Sequence, residues 1–196
     1  EIKKTGVPVI LIHDIAYIDY QMQENEFSRD VFSTYLDLNP EILVVVVFSG
    51  SKTFSLYGFR VGAQIGLSKS QDVIDNFVRV GDYSVRGRFS SVSQPGMSII
   101  EKIFSEDEYR NRFLGELTIA RELLLNRSNL FIKEAEKHNL KTLPYYGGFF
   151  ISILTDNKNL FKELVDDHVF IIPMEGLIRI AISSLKLLAS SNQTLK

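Results

Sequence analysis

The densest apolar run in the chain, Leu43 to Val47, is β-branched from Val44 onward and stops at Phe48-Ser49-Gly50. A run without polar alternation predicts a strand covered on both faces, as in a mostly parallel sheet. Val7 to Ile12 is a similar shorter run ending at His13-Asp14, and it predicts a second buried strand. Arg60 to Leu67 predicts a third, with Gly62 and Gly66 permitting close backbone approach. Between the first two, Ile15 to Asn39 is polar and irregular, with one helix expected over Glu26 to Leu36 and a break at Asn39-Pro40.

From Ser70 the period changes. Val73, Ile74, Phe77 and Val78 share a helical face, with Ser70 as the N-cap. Gly87 to Gly96 reads as a polar hinge, Pro95 to Phe104 as a second helix, and Ser105-Glu106-Asp107-Glu108 as the start of a long helix reaching about His138. Beyond Pro144, strands are expected over Phe149 to Leu154, Val169 to Ile172 and Leu177 to Ile182, with a helix from Leu160 to Asp167. Ala189 to Lys196 reads as a frayed tail. The pattern divides the chain into an α/β part, residues 1–118, and a smaller α/β lobe, residues 119–196.

Composition narrows this little. The 196 residues are 45% hydrophobic, enough for a real core, and the net charge of −2 with no basic block argues against nucleic acid or an acidic membrane as partner. Without cysteine there is no disulfide framework, thiolate metal site or thiol nucleophile, and no apolar run approaches a membrane span. A cytoplasmic protein is the expectation. The start, Glu1-Ile2-Lys3-Lys4, has no initiator methionine and reads as cut from something longer. His13, His138 and His168 lack metal spacing and read as surface or capping residues; Phe27, Phe32 and Tyr35 read as core or subunit face.

The chemistry gathers just past the Leu43 strand. A lysine there, Lys52, lies at the carboxyl edge of the sheet, where α/β proteins bind ligands, and is a candidate nucleophile. Ser49, Ser51 and, eight positions on, Arg60 supply hydroxyls and a guanidinium fork suited to a phosphate monoester. An amine nucleophile beside a phosphate site points to pyridoxal 5'-phosphate. That ring needs a carboxylate at its nitrogen, for which Asp14 is well placed, and Tyr17 can donate to its phenolic oxygen.

Asp14-Ile15-Ala16-Tyr17, Ser49-Gly50-Ser51-Lys52-Thr53-Phe54 and Gly58-Phe59-Arg60-Val61-Gly62 resemble, in order and spacing, the cofactor segment of class I pyridoxal-phosphate aminotransferases, most closely the aspartate and aromatic branch. The resemblance covers the C-terminal portion of such a chain. It implies the latter half of a fold type I, aspartate aminotransferase-like large domain followed by a small α/β domain. It also implies that Lys52 carries the cofactor, that Asp14, Tyr17, Ser49 and Arg60 bind it alongside the Ser51 hydroxyl read from the pattern, and that Arg179, in Gly176-Leu177-Ile178-Arg179, grips the substrate α-carboxylate. Phe150, in Gly147-Gly148-Phe149-Phe150, would stand near the cofactor, with Tyr145 and Tyr146 undecided. Arg86, in Arg86-Gly87-Arg88-Phe89, would reach a partner subunit's site and bind the distal carboxylate of a dicarboxylic substrate, with Arg88 competing for the role. The implied reaction moves an amino group between an amino acid and a 2-oxo acid, in a homodimer. A lyase or synthase on the same scaffold, or a non-catalytic remnant, are the alternatives. With the preceding half of the family's chain absent, an uncovered edge or apolar face and weak cofactor binding are expected.

Overall fold

Side chains on a strand alternate between faces, so three consecutive buried residues require cover on both sides. In the computed structural model, which describes residues 6–21 and 31–184, β2 (Ile42–Ser49) meets that condition, with Val44, Val45 and Val46 all buried. β1 (Val9–Asp14) runs parallel to β2 and β3 (Gly62–Leu67) antiparallel, in the order β1-β2-β3. The sheet is therefore mixed rather than mostly parallel. The run read as a buried first strand is an exposed edge: Ile10 is 65% and Ile12 70% accessible, so no described residues cover the face that carries them, and no described strand pairs with the outer side of β1.

Two further corrections concern the segments around this sheet. β3 begins at Gly62, so Arg60 lies before the strand and not on it. The helix expected over Glu26 to Leu36 falls partly outside the described residues, as does Phe27, and its described part is a single 3-10 turn, Val31–Tyr35.

A short turn, α1 (Gly50–Thr53), follows β2 directly. The helices α2 (Gln71–Phe89), α3 (Gln94–Ser105) and α4 (Asp107–Lys137) then run in succession. Ser70 occupies the N-cap of α2, but its side chain makes no capping bond; α2 continues through Gly87, and the hinge shrinks to residues 90–93. At Gly66 an added Cβ would lie 2.6 Å from the Phe77 ring, so the bare backbone is what admits α2 against β3.

Two compact units divide between Leu117 and Thr118, inside α4, with Gln21 belonging to the second unit. The second unit has an antiparallel sheet, β4 (Phe150–Leu154), β5 (Ile172–Met174) and β6 (Leu177–Ala181), in the order β4-β6-β5. β5 starts three residues later than the pattern of Val169 to Ile172 suggests. Its core comprises Leu124 and Ala135 of α4, with Ile151, Ile153, Ile178 and Ile182. Between β4 and β5 lies α5 (Leu160–Asp166). Both α4 and α5 end with a left-handed residue after the cap, Asn139 and His168, and the next N–H reaches back to Ala135 and Leu164 respectively. His168 is thus a capping residue, as expected. The tail from Ala189 lies outside the described residues.

Candidate functional site

Four residues are too few to hold a helical turn by themselves, so α1 depends on its surroundings. Ser49 caps it in extended conformation, its Oγ accepting from the Ser51 N–H at 3.3 Å. The Gly50 N–H donates to the Val61 carbonyl at 2.9 Å, which ties the turn to the entrance of β3. This approach tolerates no side chain: a Cβ on Gly62 would sit 2.6 Å from the Phe48 carbonyl oxygen, and one on Gly50 would sit 2.8 Å from a Val61 methyl. Beyond the turn, two non-glycine residues take left-handed backbone, Ser55 at φ 54° and Arg60 at φ 53°. Such conformations cost about 1 kcal/mol or more each and persist where packing over-determines them. The strain here is concentrated between Lys52 and β3.

Lys52 Nζ stands 4.9 Å from the centroid of the Tyr57 ring and 5.8 Å from that of Tyr17. The Arg60 guanidinium lies 5.4 Å from the same Tyr57 centroid, and its Nη1 donates to the Tyr57 carbonyl at 2.9 Å. Amine and guanidinium therefore share one aromatic ring, each attracted by its π face. Asp14 ends β1 opposite Val47, two residues before Ser49. Since β1 and β2 are parallel, the carboxylate and the Lys52 turn leave the sheet at the same edge. Asp14 Oδ1 accepts from the Ala16 N–H at 2.9 Å, which turns the chain toward Tyr17. The structure thus brings Asp14, Tyr17, Ser49, Ser51, Lys52 and Arg60 to one edge, with Lys52 half-buried and Asp14 and Arg60 exposed.

Other sequence candidates lie elsewhere. Arg86 is exposed on α2; Arg88, not Arg86, lines a cleft of about 700 Å³ with Phe77, Gly81 and Phe89 against β3. Arg179 is on β6 in the second unit, its guanidinium 4.2 Å from the centroid of the Phe150 ring, a diagonal neighbour on β4. In the same unit, Tyr145 donates to the Gly148 carbonyl at 2.6 Å, and burial pushes its phenol up to about 12, so it remains a donor at neutral pH. His13 is half-buried rather than fully exposed: its Nδ1 lies 2.8 Å from the Tyr35 hydroxyl and its ring centroid 6.0 Å from that of Phe32.

Sequence reasoning missed four residues at this edge. Tyr57 joins the two cations, and Asp19, Tyr20 and Thr53 lie under the Lys52 turn, where Thr53 Oγ1 donates to Asp19 Oδ2 at 2.9 Å. Tyr57 carried no signal, since a tyrosine among exposed loop residues has no period. Asp19 and Tyr20 continue the Asp14-to-Tyr17 segment, and that proximity in sequence was the available clue.

Residues 2–188 match the sequence profile of the aminotransferase class I and II family. The cytoplasmic aspartate aminotransferase of Dictyostelium discoideum is 30% identical over 115 residues, 59% of this chain and 25% of that protein. Among solved structures, an aminotransferase from Anaerococcus prevotii superposes with a TM-score of 0.86 at 30% identity, over 94% of this chain and 45% of its own. An aromatic aminotransferase from Pyrococcus horikoshii gives 0.67 at 17% identity, over 94% and 48%. The chain spans a quarter of that curated relative and just under half of these structures. It has the aspartate aminotransferase-like, fold type I architecture, and it belongs to the class I and II aminotransferases, a family of pyridoxal-phosphate enzymes.

Proposed function

We propose that this chain is the lysine-bearing portion of an aminotransferase that exchanges an amino group between an L-amino acid, dicarboxylic or aromatic, and a 2-oxo acid. The observation that carries the reading is the convergence of Lys52 and Arg60 on Tyr57, at the edge where Asp14 also ends its strand. An amine, a carboxylate and a guanidinium with two hydroxyls are the donor types that pyridoxal phosphate requires. When bound, that cofactor supplies an aldehyde that joins an amine and a ring that draws electrons from the substrate α-carbon.

The chain's own residues do the rest. Lys52 Nζ holds the aldehyde until the substrate amine displaces it, and the freed amine takes the proton from the substrate α-carbon and delivers it to the cofactor side rather than back to that carbon. Asp14 keeps a proton on the ring nitrogen, and Tyr17 donates to the phenolic oxygen. Ser49, Ser51 and Arg60 bind the phosphate. Arg179 orients the substrate by its α-carboxylate, with Phe150 beneath its guanidinium fixing the fork. Arg86 binds a distal carboxylate in the partner of a homodimer, which accounts for its exposure on α2. The first unit forms part of the cofactor-binding large domain and the second the small domain.

Taken alone, the 196-residue chain holds the cofactor weakly and is inactive. The exposed apolar edge of β1 and coverage of under half of the solved relatives support that view. The test is titration with pyridoxal phosphate followed by borohydride reduction and peptide mapping. The cofactor mass is expected on the Lys52 peptide ahead of the other lysines, with millimolar cofactor needed for extensive labelling. Labelling spread evenly over the lysines would refute the assignment of Lys52, and stoichiometric binding at micromolar concentration would refute the weak-binding view.

A further inference from the structure

The turn that carries Lys52 is anchored at three consecutive residues, Lys52, Thr53 and Phe54. The Lys52 carbonyl accepts a long bond, 3.4 Å, from the Tyr20 hydroxyl. Thr53 Oγ1 donates to Asp19 Oδ2 at 2.9 Å. Phe54 stacks on Phe113 with centroids 4.9 Å apart and meets Phe48 and Phe104 edge-on. Thr53 and Tyr20 are both buried, and burial, followed by the nearby Asp19 charge, pushes the Tyr20 phenol up, so its hydroxyl stays protonated and also meets Ser55. The Asp19–Thr53 pair stands in the wall of a mostly apolar cavity of about 580 Å³, where a hydrogen bond to a carboxylate is screened less than at an open surface.

Asp19 and Tyr20 belong to the segment that leaves β1 through Asp14 and Tyr17, and they are 34 and 32 residues from their partners in the turn. We infer that Asp19, through Thr53 and with Tyr20 in support, is a positioning residue: it fixes the Lys52 backbone relative to Asp14, so that only the lysine side chain moves during the reaction. The inference rests on the assignment of Lys52 as cofactor-bearing residue. Without the brace, α1 keeps its start, held by Ser49 and Val61, while its last residues, already followed by a left-handed Ser55, lose their register. Reaction at the amine then slows, because the reacting atoms no longer share a fixed approach.

The test uses the whole chain and an internal standard. Borohydride trapping of pyridoxal phosphate is followed at Lys52 and at the exposed Lys69, and the ratio of the two rates is taken across pH 6 to 9. Asp19→Ala and Thr53→Ala are expected to lower the ratio at least tenfold, Tyr20→Phe by a smaller factor. Asp19→Asn and Thr53→Ser keep an oxygen acceptor and a hydroxyl donor, and they restore most of it at unchanged helix content by circular dichroism. If the wild-type ratio is high but survives Asp19→Ala and Thr53→Ala, the positioning role is wrong and the assignment of Lys52 stands. If the conservative variants fall as far as the alanines, geometry at this pair is not what matters and the inference is overturned. A wild-type ratio near one overturns both.

Discussion

β1 and β2 have nearly the same sequence character and opposite fates. Each is a short run of Val, Ile and Leu that reads as an interior strand, and they pair in parallel along six residues. Yet Val44 and Val46 are 1% and 2% accessible, whereas Ile10 and Ile12 are 65% and 70%. What differs is the neighbourhood. β2 has a strand on each side and is interior to its sheet, while β1 has one neighbour among the described strands and apolar side chains open to solvent. An apolar strand records the environment it was selected for, and its burial records what is packed against it. The gap between the two marks β1 as the place where this chain expects more protein than its described residues provide.

The sharpest way to break that comparison is a matched pair of charges. Val45→Asp buries a carboxylate between two strands and is expected to cost about 4 kcal/mol or more, enough to unfold the first unit. Ile10→Asp on β1 is expected to change stability by no more than about 0.5 kcal/mol, because the side chain already faces water. Chemical denaturation checks both. Ile10→Asp should also lower light scattering at high concentration by placing a charge on an edge that invites pairing. Equal losses for the two variants would mean that β1 is covered in solution after all.

The same contrast explains what was legible in the sequence. The helices from Gln71 onward and the strand at β2 follow from period and from uninterrupted apolar runs, and the place of Lys52 with its serines follows from position after a strand. Burial of β1 did not follow, since the run Val7 to Ile12 is the same whether or not a partner covers it. Arg60 reads as the first residue of a strand running to Leu67, but its left-handed backbone ends a 3-10 turn instead, and nothing in the residue type marks that conformation. The direction of β3 was hidden for a related reason: its residues fit either polarity, and the short link through Tyr57–Phe59 decided it. Asp19 and Thr53 meet across 34 residues, a separation over which single-sequence patterns are silent.

A smaller effect separates the two flanks of β2. On the β3 side the backbones approach so closely that a Cβ at Gly62 would lie 2.6 Å from a carbonyl oxygen, and Gly62→Ala is expected to cost about 1–3 kcal/mol. The Lys52 turn should loosen as well, since Gly50 bonds to Val61 next door. Gly81→Ala, within α2 with nothing within 4 Å of its added Cβ, serves as control and should stabilise by about 0.5–1 kcal/mol. A neutral Gly62→Ala would show that β3 can retreat from β2 without penalty, leaving the two flanks alike.

The least effect is expected at the one residue of β1 that is not exposed. His13 is half-buried against Phe32 and bonds the Tyr35 hydroxyl at 2.8 Å, so a single side chain of β1 is packed where five of its neighbours along the strand are not. Tyr35→Phe keeps the edge-on ring contact and removes only the hydroxyl, leaving His13 to find water at a partly open site. A neutral hydrogen bond there is worth about 1 kcal/mol or less. Because β1 otherwise depends on its ladder to β2, the loss should fall on β1 alone: faster amide exchange at residues 9–14, with the amides of Val44 to Val46 unchanged. Faster exchange across both strands would mean that they open as one unit, and that the exposed strand is held as firmly as the buried one.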